Sequence, residues 1–280
     1  MGTTSIQKHF LDTSVVRPLL LGTDSYKQYL KSQFKDEPCY ISRFVQMEIK
    51  RSFLINIMSF YFMIRLNTMP TVSDALKYWS NKFKTSELKA IIQLAAVILR
   101  WRDIDFNSTA DKPKALRELG RYIKRIECKL RRYFKDIGRD STRCARAAIP
   151  LKADPSDIAT GFKNFFEAFN DEETCKTKCR IDRFLLERYP SEIRKYVLYA
   201  DEQPTNNDTK GFKKISEKLK GLLEKGTKLC SCRLCESIGD AVIALDSPRN
   251  MILEHIDKAF DYLCPIIKQP HKKHRPEISF

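Results

Sequence analysis

Four carboxylates in this chain stand where oxygen-ligand chemistry needs them. Asp12 lies within the apolar run Phe10–Val16, and Asp257 directly follows the run Met251–Ile256. Glu48 and Asp240 each fall near the N-terminal end of a predicted helix. Magnesium and manganese prefer oxygen ligands, and converging carboxylates hold such an ion where it activates water and stabilises charge on a phosphate. In an open parallel sheet, ligands bind beyond the carboxyl ends of the strands. If the two terminal segments pair in one sheet, the four carboxylates can meet at that edge. Asp246 is a rival for the fourth place. Each acid also has a plainer reading. Asp12 before Thr13 and Ser14 can cap a turn. Glu48 can be a solvated helix residue facing Lys50 or Arg51. Asp240 can be an acid favoured by the helix dipole, and Asp257 a surface residue after a strand. No nucleophilic triad built on His or Cys is visible.

The elements that must position these residues follow from periodicity. Phe10–Val16 reads as a first buried strand, with Asp12 near its end and Thr13 and Ser14 starting a turn. Cys39–Ile41 reads as a second strand. Ser42 then caps a helix carrying Phe44, Val45 and Glu48, which leads into the buried run Phe53–Leu66. A capped helix is expected over residues 85–99. Leu116, Leu119, Ile123, Ile126, Leu130, Tyr133 and Ile137 recur at spacings of three and four, which marks an amphipathic helix. Further helices are expected at Phe162–Phe169 and Lys210–Lys225, separated by a polar loop at Gln203–Thr209. Asp240–Leu245 suits a short helix, Pro248–Asn250 a turn and Met251–Ile256 a strand. The tail from Pro265 is expected to be loose, with His271 and His274 solvated.

Charge points to a polyanion. The chain has 280 residues, with 51 Lys and Arg against 35 Asp and Glu, for a formal net charge of +16. Neutralising phosphates rewards such a surplus. Residues 112–146 hold 13 Lys or Arg and four acids, over half of that net charge. Arg117, Arg121, Lys124, Arg125, Arg131 and Arg132 lie largely off the apolar stripe, as a nucleic-acid track or as a solvated basic face. Tyr122, Tyr133 and Phe134 are expected in the core. No stretch reaches the roughly 18 apolar residues of a membrane span. No signal-peptide pattern opens the chain, so the expected location is cytoplasmic. The nine cysteines are then expected as thiols or metal ligands rather than disulfides. Cys175 and Cys179, with Cys235 and either Cys230 or Cys232, suit a structural zinc site; the set Cys175, Cys179, Cys232 and Cys235 is the candidate. The alternative is reduced thiols on helices. Cys39, Cys128 and Cys264 are expected in the core.

Four short motifs together resemble the PIN-domain nucleases. They are Leu11-Asp12-Thr13-Ser14, Tyr40-Ile41-Ser42 followed by Met47-Glu48-Ile49, Gly239-Asp240-Ala241-Val242-Ile243-Ala244, and Ile256-Asp257-Lys258-Ala259-Phe260. The resemblance covers about residues 7–56 and 236–265. It implies an α/β fold, with a PIN-like core built on a parallel central sheet flanked by helices and a mainly helical insertion. The implied division is 1–66 and 226–268 for the two parts of the core, 67–225 for the basic insertion and 269–280 for a basic tail. The implied activity is divalent-metal-dependent endoribonuclease action. Asp12, Glu48, Asp240 and Asp257 would hold Mg2+ or Mn2+, with RNA as partner and DNA still open as a substrate. Two departures stand out. His255 occupies a slot that usually holds Thr or Ser, and the chain is about twice the length of a compact PIN domain. A catalytically weak nucleic-acid-binding module and a zinc-stabilised helical interaction protein are the alternative functions.

Overall fold

The computed structural model describes residues 7–34, 37–68, 70–71, 73–74, 77, 105–133, 135–136, 144–151, 157–226 and 232–276. The helix expected over 85–99 lies outside them. The chain divides into two compact units. Residues 1–47, 133–149 and 170–280 form the first, and residues 48–132 and 150–169 the second. These borders differ from the expected ends of the insertion at 67 and 225.

In chain order, the described elements begin with β1 (His9–Leu11), α1 (Thr13–Leu21), α2 (Asp24–Phe34), β2 (Cys39–Ile41) and α3 (Arg43–Ile49). A π-helical turn (Lys50–Leu54) precedes α4 (Ile55–Arg65), followed by α5 (Asp111–Tyr133) and β3 (Lys135–Asp136). Then come α6 (Ile158–Asn170), α7 (Glu172–Lys178), α8 (Ile181–Arg188), α9 (Pro190–Glu202) and α10 (Lys210–Lys225). The chain continues through α11 (Cys232–Ser237), α12 (Gly239–Asp246), β4 (Ile252–His255), α13 (Phe260–Ile266) and β5 (His271–Lys273).

The first unit is an α/β structure around five parallel strands in the order β3-β2-β1-β4-β5. Parallel strands need long crossovers, which helices supply. His9 pairs with Cys39 on one side and Ile252 on the other, and Leu11 sits opposite Glu254. The strands are only two to four residues long. The expected first strand is cut short for a local reason. Asp12 turns the chain and caps α1, so Thr13 and Ser14 start a helix rather than a simple turn, and Val15 and Val16 are buried from that helix. Ser42 behaves as expected: its hydroxyl accepts the Val45 N–H (3.2 Å), and its carbonyl accepts the Gln46 N–H (3.1 Å).

The tail is a correction. It contributes β5 as an edge strand beside β4, and Gln269 and His274 are buried. Gln269 Nε2 donates to the Ser247 hydroxyl (3.0 Å) and to the carbonyls of Met251 (3.0 Å) and Pro248 (3.2 Å). A basic sequence can still supply an edge strand, because Lys272 and Lys273 remain exposed while their backbone pairs.

The described residues of the second unit are mainly helical. On α5, Leu119, Ile123, Ile126 and Leu130 are buried at intervals of three and four, the expected stripe. Phe60 meets Phe106 edge-on at 5.8 Å between ring centres, and Tyr61 meets Phe162 at 5.3 Å. Tyr122 is half-buried with its ring 6.3 Å from that of Phe53, whereas the side chains of Tyr133 and Phe134 lie outside the described residues. Cys128 is exposed, contrary to its expected core role, because it falls two positions beyond Ile126 and so off the stripe. Gly120 sits on α5, where an added Cβ would meet Ile158 Cγ2 at an ordinary 3.5 Å. Gly120→Ala is therefore expected to stabilise the protein by about 0.5–1 kcal/mol, read as a higher urea midpoint. A lower midpoint would show that Ile158 cannot yield.

Candidate metal-binding edge of the sheet

β1 is the central strand, with β2 on one side and β4 on the other. The chain leaves β1 towards β2 and later returns on the opposite side as β4. Such a switch point opens a crevice beyond the carboxyl ends of the strands. Asp12 is the first residue past the end of β1.

Asp12 is held there by both ends of the chain. Its N–H donates to the Glu254 carbonyl (3.0 Å), and its own carbonyl accepts the N–H groups of Val15 and Val16 (3.0 Å each). Its Oδ2 accepts the Ser14 N–H (2.9 Å) and the Ser14 hydroxyl. The Ser14 oxygen in turn accepts the Ile256 N–H (3.0 Å). A serine hydroxyl has one proton to give, and here it goes to the carboxylate. The run Ile256 N–H to Ser14 to Asp12 is a polarised chain that fixes the carboxylate. Asp12 is only 2% exposed. Its capping role and its place at the sheet edge are therefore both real.

Asp257 follows Ile256 directly and is exposed, so the Ser14 link brings its backbone to the Asp12 neighbourhood. Asp240 is half-exposed and is the one residue of α12 that is not buried. Asp246 is fully buried at the other end of that helix, about 9 Å away along its axis, and is less suited to meet a solvent-borne ligand. Glu48 is half-buried on α3 and is the first residue of the second unit.

Behind the edge lies a buried charge network that sequence reading missed. Glu254, on β4 between β1 and β5, is 0% exposed. Its Oε1 accepts from His9 Nδ1 (2.7 Å), and its Oε2 accepts from His274 Nε2 (2.6 Å). His9 Nε2 donates onward to Glu37 Oε2 (2.7 Å). The Phe34 ring packs 5.3 Å from His9 and 5.8 Å from His274. Burial alone would lower the His9 pKa, but the hydrogen bonds and charges of Glu254 and Glu37 overcome it and raise the value. Burial would likewise raise the Glu254 pKa, but the two histidines overcome it and lower the value.

His255, in the slot where the family pattern has Thr or Ser, is buried and points elsewhere. Its Nδ1 donates to the Asp257 carbonyl (3.0 Å), which leaves Nε2 to accept from His271 Nδ1 (3.0 Å). Burial pushes its pKa down to about 4. His255, His271 and Asp261 bring possible ligand atoms within 4.8 Å of one another. The Lys273 ammonium already pairs with Asp261, which opposes a second cation there.

On α5, Arg117, Arg121 and Arg125 are exposed and Lys124 is half-exposed. They share a face opposite the buried stripe. Arg121 pairs with Glu118 (2.7 Å). The side chains of Arg131 and Arg132 lie outside the described residues. Among the cysteines, Cys175, Cys179 and Cys235 are buried in the first unit, and the Cys232 side chain lies outside the described residues. Cys264 is buried as expected, whereas Cys39 is only half-buried on β2; partial or full burial pushes both thiols up to about 12. No helix among the described residues is long and apolar enough to cross a membrane. No protein-family model, curated protein or solved structure matches this chain.

Proposed function

We propose that this chain is a divalent-metal-dependent endoribonuclease, with Asp12, Asp240 and Asp257 as the metal-binding carboxylates and Asp12 at the sheet edge. Glu48 is the fourth carboxylate of the sequence pattern. The observation that carries this reading is the position of Asp12 at the switch point of an all-parallel sheet, tied through Ser14 to the segment bearing Asp257. An all-carboxylate donor set suits Mg2+ or Mn2+. A bound ion of this kind supplies an activated water and neutralises charge on the phosphate and leaving oxygen. The chain's own contribution is placement. Ser14 orients Asp12, Asp240 projects from an otherwise buried helix, and the α5 arginines hold the polyanion.

A second reading, nucleic-acid binding without hydrolysis, is favoured by one observation. Asp12 Oδ2 is already engaged by both donors of Ser14. Cleavage of a labelled single-stranded RNA by purified protein decides between them. Cutting that requires Mn2+ or Mg2+, stops with chelator and is lost in folded Asp240→Asn supports the nuclease. Tight, salt-dependent binding without cutting supports the binder. Cutting unchanged in the variant removes the proposed site.

The arginine face makes a separate prediction. Replacing Arg117, Arg121 and Arg125 by Ala should weaken RNA binding uniformly across sequences. It should also flatten the slope of log affinity against log salt by about 0.7 per lost phosphate contact. An unchanged slope would show that this face is merely solvated.

A further inference from the structure

The last two strands bring a second set of possible ligands together. His255 is the final residue of β4 and His271 the first of β5, and the strand register makes them diagonal neighbours on one face of the sheet. Asp261 joins them from the first turn of α13. His255 Nε2 stands 3.0 Å from His271 Nδ1 and 3.9 Å from Asp261 Oδ1. Among the described residues, these three bring their ligand atoms within 4.8 Å of one another, and no other group of three His, Cys, Asp or Glu does so.

Each ligand is oriented by its neighbours. His255 is fully buried, with the Phe260 ring 5.2 Å from its own. A carbonyl can only accept, so the Asp257 carbonyl fixes the His255 proton on Nδ1 and leaves the Nε2 lone pair facing the other two groups. Such a carbonyl on the far nitrogen is the usual companion of a metal-bound imidazole. Asp261 divides its oxygens: Oδ2 pairs with the Lys273 ammonium, and Oδ1 is on the His255 side. His271 and Asp261 are half-exposed, so an ion can reach them from solvent.

The donor set selects the ion. Two imidazole nitrogens and one carboxylate oxygen suit Zn2+, whereas Mg2+ and Ca2+ take oxygen shells. Ligands about 2.0–2.1 Å from a tetrahedral zinc stand roughly 3.3 Å from one another. The histidine pair is slightly closer than this and the carboxylate slightly farther, so small side-chain rotations complete the shell. The ion takes the place of the proton that His271 Nδ1 donates to His255 Nε2. That proton is carried instead on His271 Nε2, the other nitrogen of the neutral ring, so no net proton is released.

We propose that His255, His271 and Asp261 bind one Zn2+ ion, with water in the fourth position, and that the ion fastens β5 and α13 to β4. Lys273 sets the strength of binding. Its ammonium orients Asp261 through Oδ2 but repels the cation, so affinity is lower than the three ligands alone would give. Nitrogen ligands distinguish this site from the carboxylate edge.

The chain has four histidines, His9, His255, His271 and His274, so ring 15N NMR of the full chain reads the site directly, whatever the thiols do. Titration with Zn2+ should shift the ring nitrogens of His255 and His271. Those of His9 and His274, engaged with Glu254, should stay in place. Mg2+ should shift neither pair. Followed by the His255 signal, Asp261→Asn should weaken Zn2+ binding by about 10–100-fold. Lys273→Met, which removes the opposing charge from an exposed position, should strengthen it by about 3–10-fold. A gain of affinity cannot come from misfolding, so Lys273→Met decides even if Asp261→Asn does not fold. The proposal is overturned if a large excess of Zn2+ moves neither His255 nor His271, if all four histidines shift alike, or if Lys273→Met binds no more tightly. Asp240→Asn should leave the histidine shifts unchanged, so this proposal and the nuclease reading fail separately.

Discussion

If the proposed nuclease reading holds, Asp12→Asn is expected to lower metal-dependent RNA cleavage by roughly 10²–10³-fold, with the fold preserved. Asparagine is the informative replacement because it still caps a helix, so α1 keeps its start. What is lost is the negative charge. A carboxylate that holds a catalytic metal supports several kcal/mol of transition-state stabilisation, and each 1.4 kcal/mol is tenfold in rate. Alanine at the same position would remove cap and charge together and confuse the two. Ser14→Ala should have a smaller effect, about 10–100-fold, as expected of a residue that orients a ligand. It removes the link between Asp12 and the Ile256 N–H but leaves the carboxylate. Steady-state cleavage with a titration of Mn2+ separates the two. Ser14→Ala should be partly rescued by more metal, whereas Asp12→Asn should not. Full activity in Asp12→Asn would end the nuclease reading.

Glu254→Gln destabilises the first unit by about 3–5 kcal/mol, the cost of breaking a buried charge pair. Both histidines donate to this carboxylate. A glutamine has one acceptor oxygen and one amide, so one histidine N–H would face another donor. The loss has a defined pH dependence. The Glu254 pKa is lowered in the fold, so its contribution is present above the ordinary 4.5 and is lost as pH falls through the lowered value. The His9 pKa is raised, so its contribution is present below the ordinary 6.5 and is lost as pH rises through the raised value. The gap in stability between wild type and Glu254→Gln should therefore be widest between about pH 4.5 and 6.5 and narrow on both sides. Urea denaturation across pH measures that gap directly. Other groups, including His255, cancel in the difference. A gap below 1 kcal/mol at pH 6, or one that does not vary with pH, would show that the network is held by packing alone.

Local signals carried much of this fold. Ser42 at a helix start, Pro248 in a turn, the polar loop before Lys210 and the α5 stripe each depend on neighbours within a few residues. The end of β1 at Asp12 is legible for the same reason, although Thr13 and Ser14 begin a helix rather than a turn. What could not be read depends on pairing at long range. Glu254 and His9 look wrong for a buried parallel sheet, where apolar runs are usual. They become acceptable only because each satisfies the other across 245 positions of chain. His274 looked solvated for the same reason: its partner is on another strand.

The sheet register also sets a timetable for synthesis. His9 pairs with Ile252, so the central strand gains one of its two neighbours only after some 240 further residues have been made. At about 5–20 residues per second, that interval is roughly 12–50 seconds. During it, β1 can associate with β2 but not with β4, and Ser14 cannot reach the Ile256 amide. The nascent chain therefore carries an unfinished sheet until β4 has been made, and the link from Ser14 to the Ile256 amide forms only after that. Ribosome-stalled chains that end before residue 252 should show protease cutting near β1, and chains extended past residue 275 should resist it.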